Sequence, residues 1–270
     1  MSEWIRVHGE AAQVVTFFGL LAAMVVAERL APYRAAEGGR RWVANYGLTL
    51  LNLLVLGILP LSFIAVAELA RARGVGLLNG VVLPLPWLIA ANLLLRGFIS
   101  FITHLLMHKV PLFWRVHRVH HLDTELDVST TVRFHPFEQP IGVLVGAPLV
   151  LAFGLDPWIL MLYELIDVVV TLWSHGNLRT PRWLERVLRY LVVTPELHRV
   201  HHSTEVEETD SNFSAVFPIW DLLFGTFRAR PRQDPATMPL GLAEVRDARA
   251  RSLGWLLTVP FRRLEQRASS

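Results

Sequence analysis

The stretch "RVHRVHHLD" (115–123) carries His-Arg-Val-His-His at 117–121, and the same five letters return at 198–202. Histidine makes up 11 of 270 residues, so chance predicts a His-x-x-His-His only about 0.02 times, and two of them far less often. Ten of the 11 histidines lie between 104 and 202. His104 and His108 are spaced i, i+4; His117, His120 and His121 are spaced i, i+3, i+4; His198, His201 and His202 repeat that spacing. On a helix, residues three and four apart share a face, so each cluster presents two or three imidazoles side by side. Thr194 as a cap, Pro195 at the first helical position and Glu196 in the first turn predict a helix under the second copy. Pro111 stands a comparable distance before the first. His135 in "RFHPFE" and His175 in "WSHGN" stand singly, and His8 reads as an interfacial or packed residue.

Clustered imidazoles repel one another when protonated, so their proximity costs stability unless a cation is shared. Eight clustered histidines with two singles exceed the ligands of one zinc and suit two metals with open positions. Imidazole accepts zinc, copper, iron or nickel, so ligand type does not choose among them. The chain has no cysteine, which excludes disulfides, thiolate sites, iron–sulfur clusters and a cysteine nucleophile.

The surroundings are apolar: 53% of residues are hydrophobic and the mean hydropathy is +0.39. Three segments reach the roughly 20 residues needed to cross a bilayer: about 11–30, 46–67 with a kink at Pro60, and 86–107 containing Arg96. Two shorter apolar runs between Ile141 and Thr171, broken at Asp156-Pro157, read as a tight membrane hairpin. The N-terminus carries an acid and no small-residue cleavage site, so the first run reads as a retained anchor. Arg29, Arg34, Arg40 and Arg41 in the first loop against Arg71 and Arg73 in the second place the first loop, and hence every histidine cluster, on the cytoplasmic side. Lys109 is the one lysine among 26 basic residues, an arginine bias typical of GC-rich bacterial genomes. Net charge is +3 without a basic stripe carrying interleaved aromatics, so no nucleic-acid partner is expected. The tail from Arg228 ends in "LGWLLTVPFRRLEQR" (253–267), which reads either as a piece lying along the membrane surface or as a solvated basic tail.

The expectation is therefore an all-α integral membrane protein. It has about three full transmembrane helices, a short membrane hairpin and a cytoplasmic histidine-rich helical cap holding a dinuclear metal site. Such a site would meet lipid chains, and its open positions suit dioxygen. Two other classes compete. A b-type cytochrome would place axial histidines near mid-bilayer, and a metal transporter would want polar ligands inside its spans; neither pattern is present.

With its context, the histidine set resembles the fatty acid hydroxylase superfamily, also called the sterol desaturase family. "FWRVHRVHH", "TTVRFHP", "TPELHRVHHS", "TDSNF" and "WDLLFGTF" are similar to its bacterial members and lean toward the alkylglycerol monooxygenase branch. The likeness runs from about Leu94 to Phe227. It divides the chain into membrane anchor helices at 1–86, a catalytic domain at 87–227 and an arginine-rich tail at 228–270. The resemblance implies a non-haem di-iron oxygenase of the bacterial inner membrane that uses O2 to hydroxylate, or to desaturate, a lipid. By this resemblance the catalytic metal ligands are His104, His108, His117, His120, His121, His175, His198, His201 and His202. His135 joins them as a metal ligand or as a donor behind one. Zinc is expected to replace iron in some preparations. Fatty acid 2-hydroxylases carry a further histidine where this chain has Thr171, and the cytochrome b5 domain of some members is absent, so electrons come from a separate ferredoxin or cytochrome b5-type reductase.

Four polar residues are candidate supports. Asp167, inside the last apolar run, either orients a ligand imidazole or faces the rim. Asn177, Asp210 and Asn212 either hold ligand N–H groups or cap helices. Arg96 is expected to pair with Asp167 or a lipid headgroup, and Trp220-Asp221 to pack the C-terminal helix.

Overall fold

A computed structural model of the chain describes residues 2–35, 38–59 and 62–264. Among these residues the chain is helical, with a single bridge between Ser203 and Leu240 in place of any strand. Helix α1 (Ser2–Leu30) covers the first apolar segment, and α2 (Arg40–Ile58) and α3 (Phe63–Arg73) share the second. Pro60 lies outside the described residues. Helix α3 starts afresh on Ser62, whose Oγ accepts the amides of Ile64 and Ala65 at 3.2 and 3.4 Å.

Helix α4 (Leu85–Lys109) is followed by α5 (Pro111–His121) with Val110 alone between them. Pro111 suits a first helical position and cannot continue α4, so the chain turns there. Helices α6 (Glu138–Phe153) and α7 (Pro157–Ser174) follow one another, and each packs against α3 and α4 rather than along the other as a tight hairpin. Asp156 begins α7 by accepting the Trp158 amide at 3.1 Å, while its own amide donates to Asn92 Oδ1 of α4 at 2.7 Å. The turn between α6 and α7 meets the segment after α3 at two glycines: a Cβ on Gly76 would stand 2.4 Å from the Gly154 Cα. Both have positive φ, at 103° and 63°, so the approach is open to glycine alone.

Among the described residues, four stretches are long and apolar enough to cross a membrane: Val7–Leu30, Arg40–Gly80, Leu85–Lys109 and Pro157–Ser174. This changes the hairpin reading, because α7 qualifies by itself with 18 residues whereas α6 has 16. Of the two acids in the α7 run, Glu164 is paired across to α4. Arg96 of α4 donates from Nε to Glu164 Oε1 at 2.9 Å, so its partner is Glu164 rather than Asp167. Val15, Leu50 and Ile58 are exposed, an arrangement lipid accommodates and water penalises.

The short helices α8 (Arg182–Leu188), α9 (Pro195–His201), α10 (Val206–Thr209), α11 (Ile219–Phe224) and α12 (Leu253–Thr258) complete the fold. The described part of the tail is packed. Leu256 and Val259 are buried against Ala44 and Leu48 of α2 and Val119 and Leu122 at the end of α5, with Leu253 beside them. Each fully buried side chain of that kind contributes about 1.5–3 kcal/mol, enough to pin the tail onto the first histidine helix. Residues 265–267 of the apolar patch lie outside the described residues.

Candidate metal centre

Helices α4, α5 and α9 and the end of α7 converge, and their imidazoles gather into two adjoining groups. His104, His108, His117, His121 and His201 form the first; His120, His175, His198 and His202 form the second. Within each group the donor nitrogens lie within 4.8 Å of one another. The two pentapeptides are interleaved across the groups. The i, i+4 pair of α5 enters the first group while His120 crosses to the second; the i, i+4 pair of the other copy enters the second while His201 crosses to the first. The groups abut through His121 and His202, whose rings stack at 4.6 Å.

Five of the nine rings hold their outward nitrogen on a partner, whereas Nδ1 of His120, His121, His198 and His202 is buried without one among the described residues. His104 Nδ1 donates to the Phe213 carbonyl at 2.8 Å, His201 Nδ1 to the Ser211 carbonyl at 2.7 Å, and His175 Nδ1 to the Thr171 carbonyl at 2.8 Å. His117 Nδ1 donates to Glu138 Oε1 at 2.6 Å and His108 Nδ1 to Asp210 Oδ1 at 3.2 Å. Carbonyl and carboxylate oxygens only accept, so the proton of each of these rings sits on Nδ1 and the inward Nε2 is a bare lone pair.

That assignment tests whether the site suits metal. His104 Nε2 and His117 Nε2 stand 3.1 Å apart with both protons committed elsewhere, so two lone pairs face each other with no hydrogen between. In the second group, His175 Nε2 lies 2.9 Å from His198 Nε2 and 3.2 Å from His120 Nε2. Adding protons is opposed by burial, which pushes His201 down to about 3, His175 down to about 4, and His120, His121, His198 and His202 well below their ordinary range. Two nitrogens bonded to one cation at about 2.0–2.1 Å lie roughly 3 Å apart, so the spacing suits a shared ion. The residues fit two metals. Of the nine imidazoles, His104 alone keeps partial exposure and marks where the site opens.

His135 joins neither group. Its Nε2 lies 3.3 Å from the Leu257 carbonyl and its Nδ1 accepts the Phe137 amide at 3.2 Å, so the ring serves the turn into α6. Of the four candidate supports, Asp210 reaches an imidazole of the first group, His108; its other oxygen takes the Lys109 ammonium at 2.8 Å. Asn177 instead clasps the backbone of Arg34, and Asn212, at φ 53°, clasps that of Arg228 and the Leu197 carbonyl. Asp167 sits in the field of Glu164 and Arg96 and touches no ligand.

Three supports escaped the sequence reading. Glu138 backs His117 from 21 residues away. Asp221 accepts the amides of Phe213 and Ser214, at 2.7 and 2.9 Å, and so steadies the loop whose carbonyls hold His104 and His201. The Trp-Asp pair at 220–221 was the one available signal for it. Asp123, just after the first pentapeptide, accepts from Arg41 at 2.9 Å, Asn45 at 3.0 Å and Thr130 at 2.9 Å. Burial raises the Asp123 carboxyl, but the Arg41 and Arg133 guanidiniums and these hydrogen bonds outweigh it and hold the group below its usual range.

Comparison with known proteins points one way. A model of the fatty acid hydroxylase family matches residues 89–226. The chain is 29% identical to alkylglycerol monooxygenase of Caenorhabditis elegans, over 56% of this chain and 29% of that protein. It is also 29% identical to ornithine lipid hydroxylase OlsE of Rhizobium tropici, over 59% and 46%. With a cholesterol 25-hydroxylase-like protein of Danio rerio the identity is 31%, over 68% of this chain and 73% of that one. The first two relatives are thus matched over less than half their length. No solved structure matches the chain significantly.

Proposed function

The chain belongs to the fatty acid hydroxylase family, and from that premise we propose that it is a membrane-embedded oxygenase using two iron ions to hydroxylate an aliphatic C–H bond of a lipid. The reaction consumes O2, two electrons and two protons for each C–H bond converted to C–OH, and releases one water. The lipid is a fatty acyl chain, an alkylglycerol ether or a sterol-like body, classes in keeping with the relatives' names. The observation that carries the reading is the facing pair of bare Nε2 atoms of His104 and His117, 3.1 Å apart, within two adjoining buried imidazole groups.

Bound iron supplies the activation of O2. The chain's own residues do the rest. The first group of five imidazoles holds one ion and the second group of four holds the other. Glu138 and Asp210 keep the protons of His117 and His108 on the outward nitrogen, which leaves Nε2 free to bind and raises its basicity. Burial of eight of the nine imidazoles excludes water, and the partial exposure of His104 gives the lipid chain its approach from α4. A separate ferredoxin or cytochrome b5-type reductase delivers the electrons. The arginine excess of the first loop supports placement in a bacterial inner membrane with the metal centre on the cytoplasmic side.

The test is metal content of full-length protein from iron-supplemented cells, followed by turnover of bacterial lipid extract under 18O2. Two irons per chain and one 18O atom in the product lipid are expected. One metal or none in well-folded protein would overturn the reading.

A further inference from the structure

We propose that Arg133 is a positioning residue for the metal centre, acting by terminating the first histidine helix. Helix α5 ends at His121, and its last carbonyls lack partners within the helix. The Leu122 amide takes the Arg118 carbonyl at 2.8 Å, and the Val119 carbonyl between them in the ligand row is taken by Arg133 Nε, also at 2.8 Å. The other two arms of the guanidinium reach two further segments: Nη1 donates to Asn45 Oδ1 of α2 and Nη2 to the Ala250 carbonyl of the tail, each at 2.7 Å. Arg133 is fully buried. One cation thus ties α2, α5 and the tail at the end of a helix whose dipole favours positive charge.

The place of the grip gives it leverage. Val119 lies two residues after His117 and directly before His120 and His121, so a shift of that carbonyl moves three ligands. Two of them belong to the first group and one to the second. The other copy does without such a device: the Val200 carbonyl accepts the Ser203 amide at 3.1 Å, an ordinary backbone turn. In "TTVRFHP" it is therefore the arginine that serves the centre, while His135 serves its own turn. Asn45 completes the connection, since its Nδ2 donates to Asp123 Oδ2 at 3.0 Å and to Ser129 Oγ at 2.9 Å.

The inference rests on the two histidine groups being metal sites. Its test is titration of metal-free full-length protein with Co2+, read as ions bound per chain and as the visible ligand-field spectrum. Wild type binds two ions. Arg133→Met is expected to hold about one, with the other lost about 10–100-fold faster to a chelator and with an altered spectrum. Arg133→Lys, which keeps the charge and one arm, falls between them. Should Arg133→Met fail to fold, Asn45→Ala removes one of the three acceptors and must show the same spectral change at smaller size. Two ions with the wild-type spectrum and wild-type release rate in these variants would sink the inference alone. Failure of wild type to bind Co2+ would sink the metal reading and this inference with it.

Discussion

Helices α5 and α9 carry the same five residues, and the chain supports them by different means. The end of α5 is gripped by buried charge: Arg133 on the Val119 carbonyl, with Asp123 held by Arg41 and Asn45. Arg41 also pairs with Asp127. Helix α9 is defined at its start instead, where Thr194 Oγ1 accepts the Leu197 amide at 3.3 Å and Pro195 opens the first turn. Beyond α9 the support is backbone, the Gly241 amide on the His202 carbonyl at 3.0 Å and the Thr204 amide on the Pro239 carbonyl at 3.2 Å. The imidazoles differ in the same way. Two rings of the first group are backed by carboxylates; among the described residues none of the second is. A repeated motif repeats the phase of the ligands along a helix, but non-repeated sequence decides how firmly each helix stands and how basic each ligand is.

The largest effect should come from the residues that cross between groups. If each pentapeptide served one ion, His117→Ala with His120→Ala would cost one ion and His117→Ala with His201→Ala would cost two. The interleaved groups demand the reverse: the first pair strikes both ions and the second pair strikes one. Counting iron per chain after chelator treatment separates the two outcomes. Hydroxylation should fall more than about 100-fold in every one of these variants, since even the loss of a ligand's support costs 10–100-fold in metal affinity or activity.

A smaller effect tests the asymmetry of support. Glu138→Gln keeps an acceptor for His117 Nδ1 and removes the charge, so one ion should be released about 10-fold faster and the other at the wild-type rate. Asp210→Asn should do less, because Asp210 lies 3.2 Å from His108 and shares its charge with Lys109. Equal release of both ions in Glu138→Gln would show that the groups are electronically alike, against the arrangement of the carboxylates.

These residues also mark how far the sequence could be read. The i, i+3, i+4 spacing is a property of a single helix, so the sharing of a face by His117, His120 and His121 is legible in the letters alone. Which of the three turns to a second ion depends on how α5 and α9 pack, and no local pattern encodes that. Glu138 is hidden because it lies 21 positions after His117, on the far side of a 3-10 turn, and its own neighbourhood reads as the start of an apolar helix. Helix α7 reads from the sequence as half of a hairpin because the apolar run before it is short, and the Arg96 that pairs with its Glu164 sits on another helix. His135 shows the reverse: its context matches the motif, yet the lone imidazole beside a proline turn lies outside both groups and bonds to local partners.

The smallest expected effect separates the two helices by pH. Glu185 of α8 accepts from Thr194 Oγ1, the cap of α9, at 3.0 Å and from Arg189 at 2.5 Å. Burial, and then the charge of Glu196, push its carboxyl up to about 7 from an ordinary 4.5, against the pull of Arg189 and Thr194. Between those values the folded chain binds more protons than the unfolded one. The stability from this group is therefore present in full below about pH 4.5 and is lost as pH rises through about 7. Asp123 at the end of α5 has the opposite sign: its carboxyl is depressed, so its contribution is present above the ordinary value of 3.8 and disappears on acidification. Mild alkali should thus loosen the α9 side while acid loosens the α5 side. Thermal unfolding of metal-free protein at pH 5 and pH 8 checks the first half. Glu185→Gln should reduce the loss between the two pH values by about 1–2 °C. Parallel pH slopes in wild type and Glu185→Gln would mean that the carboxyl beneath the α9 cap is already charged in the folded protein, and that the second histidine helix is insensitive to pH at its start.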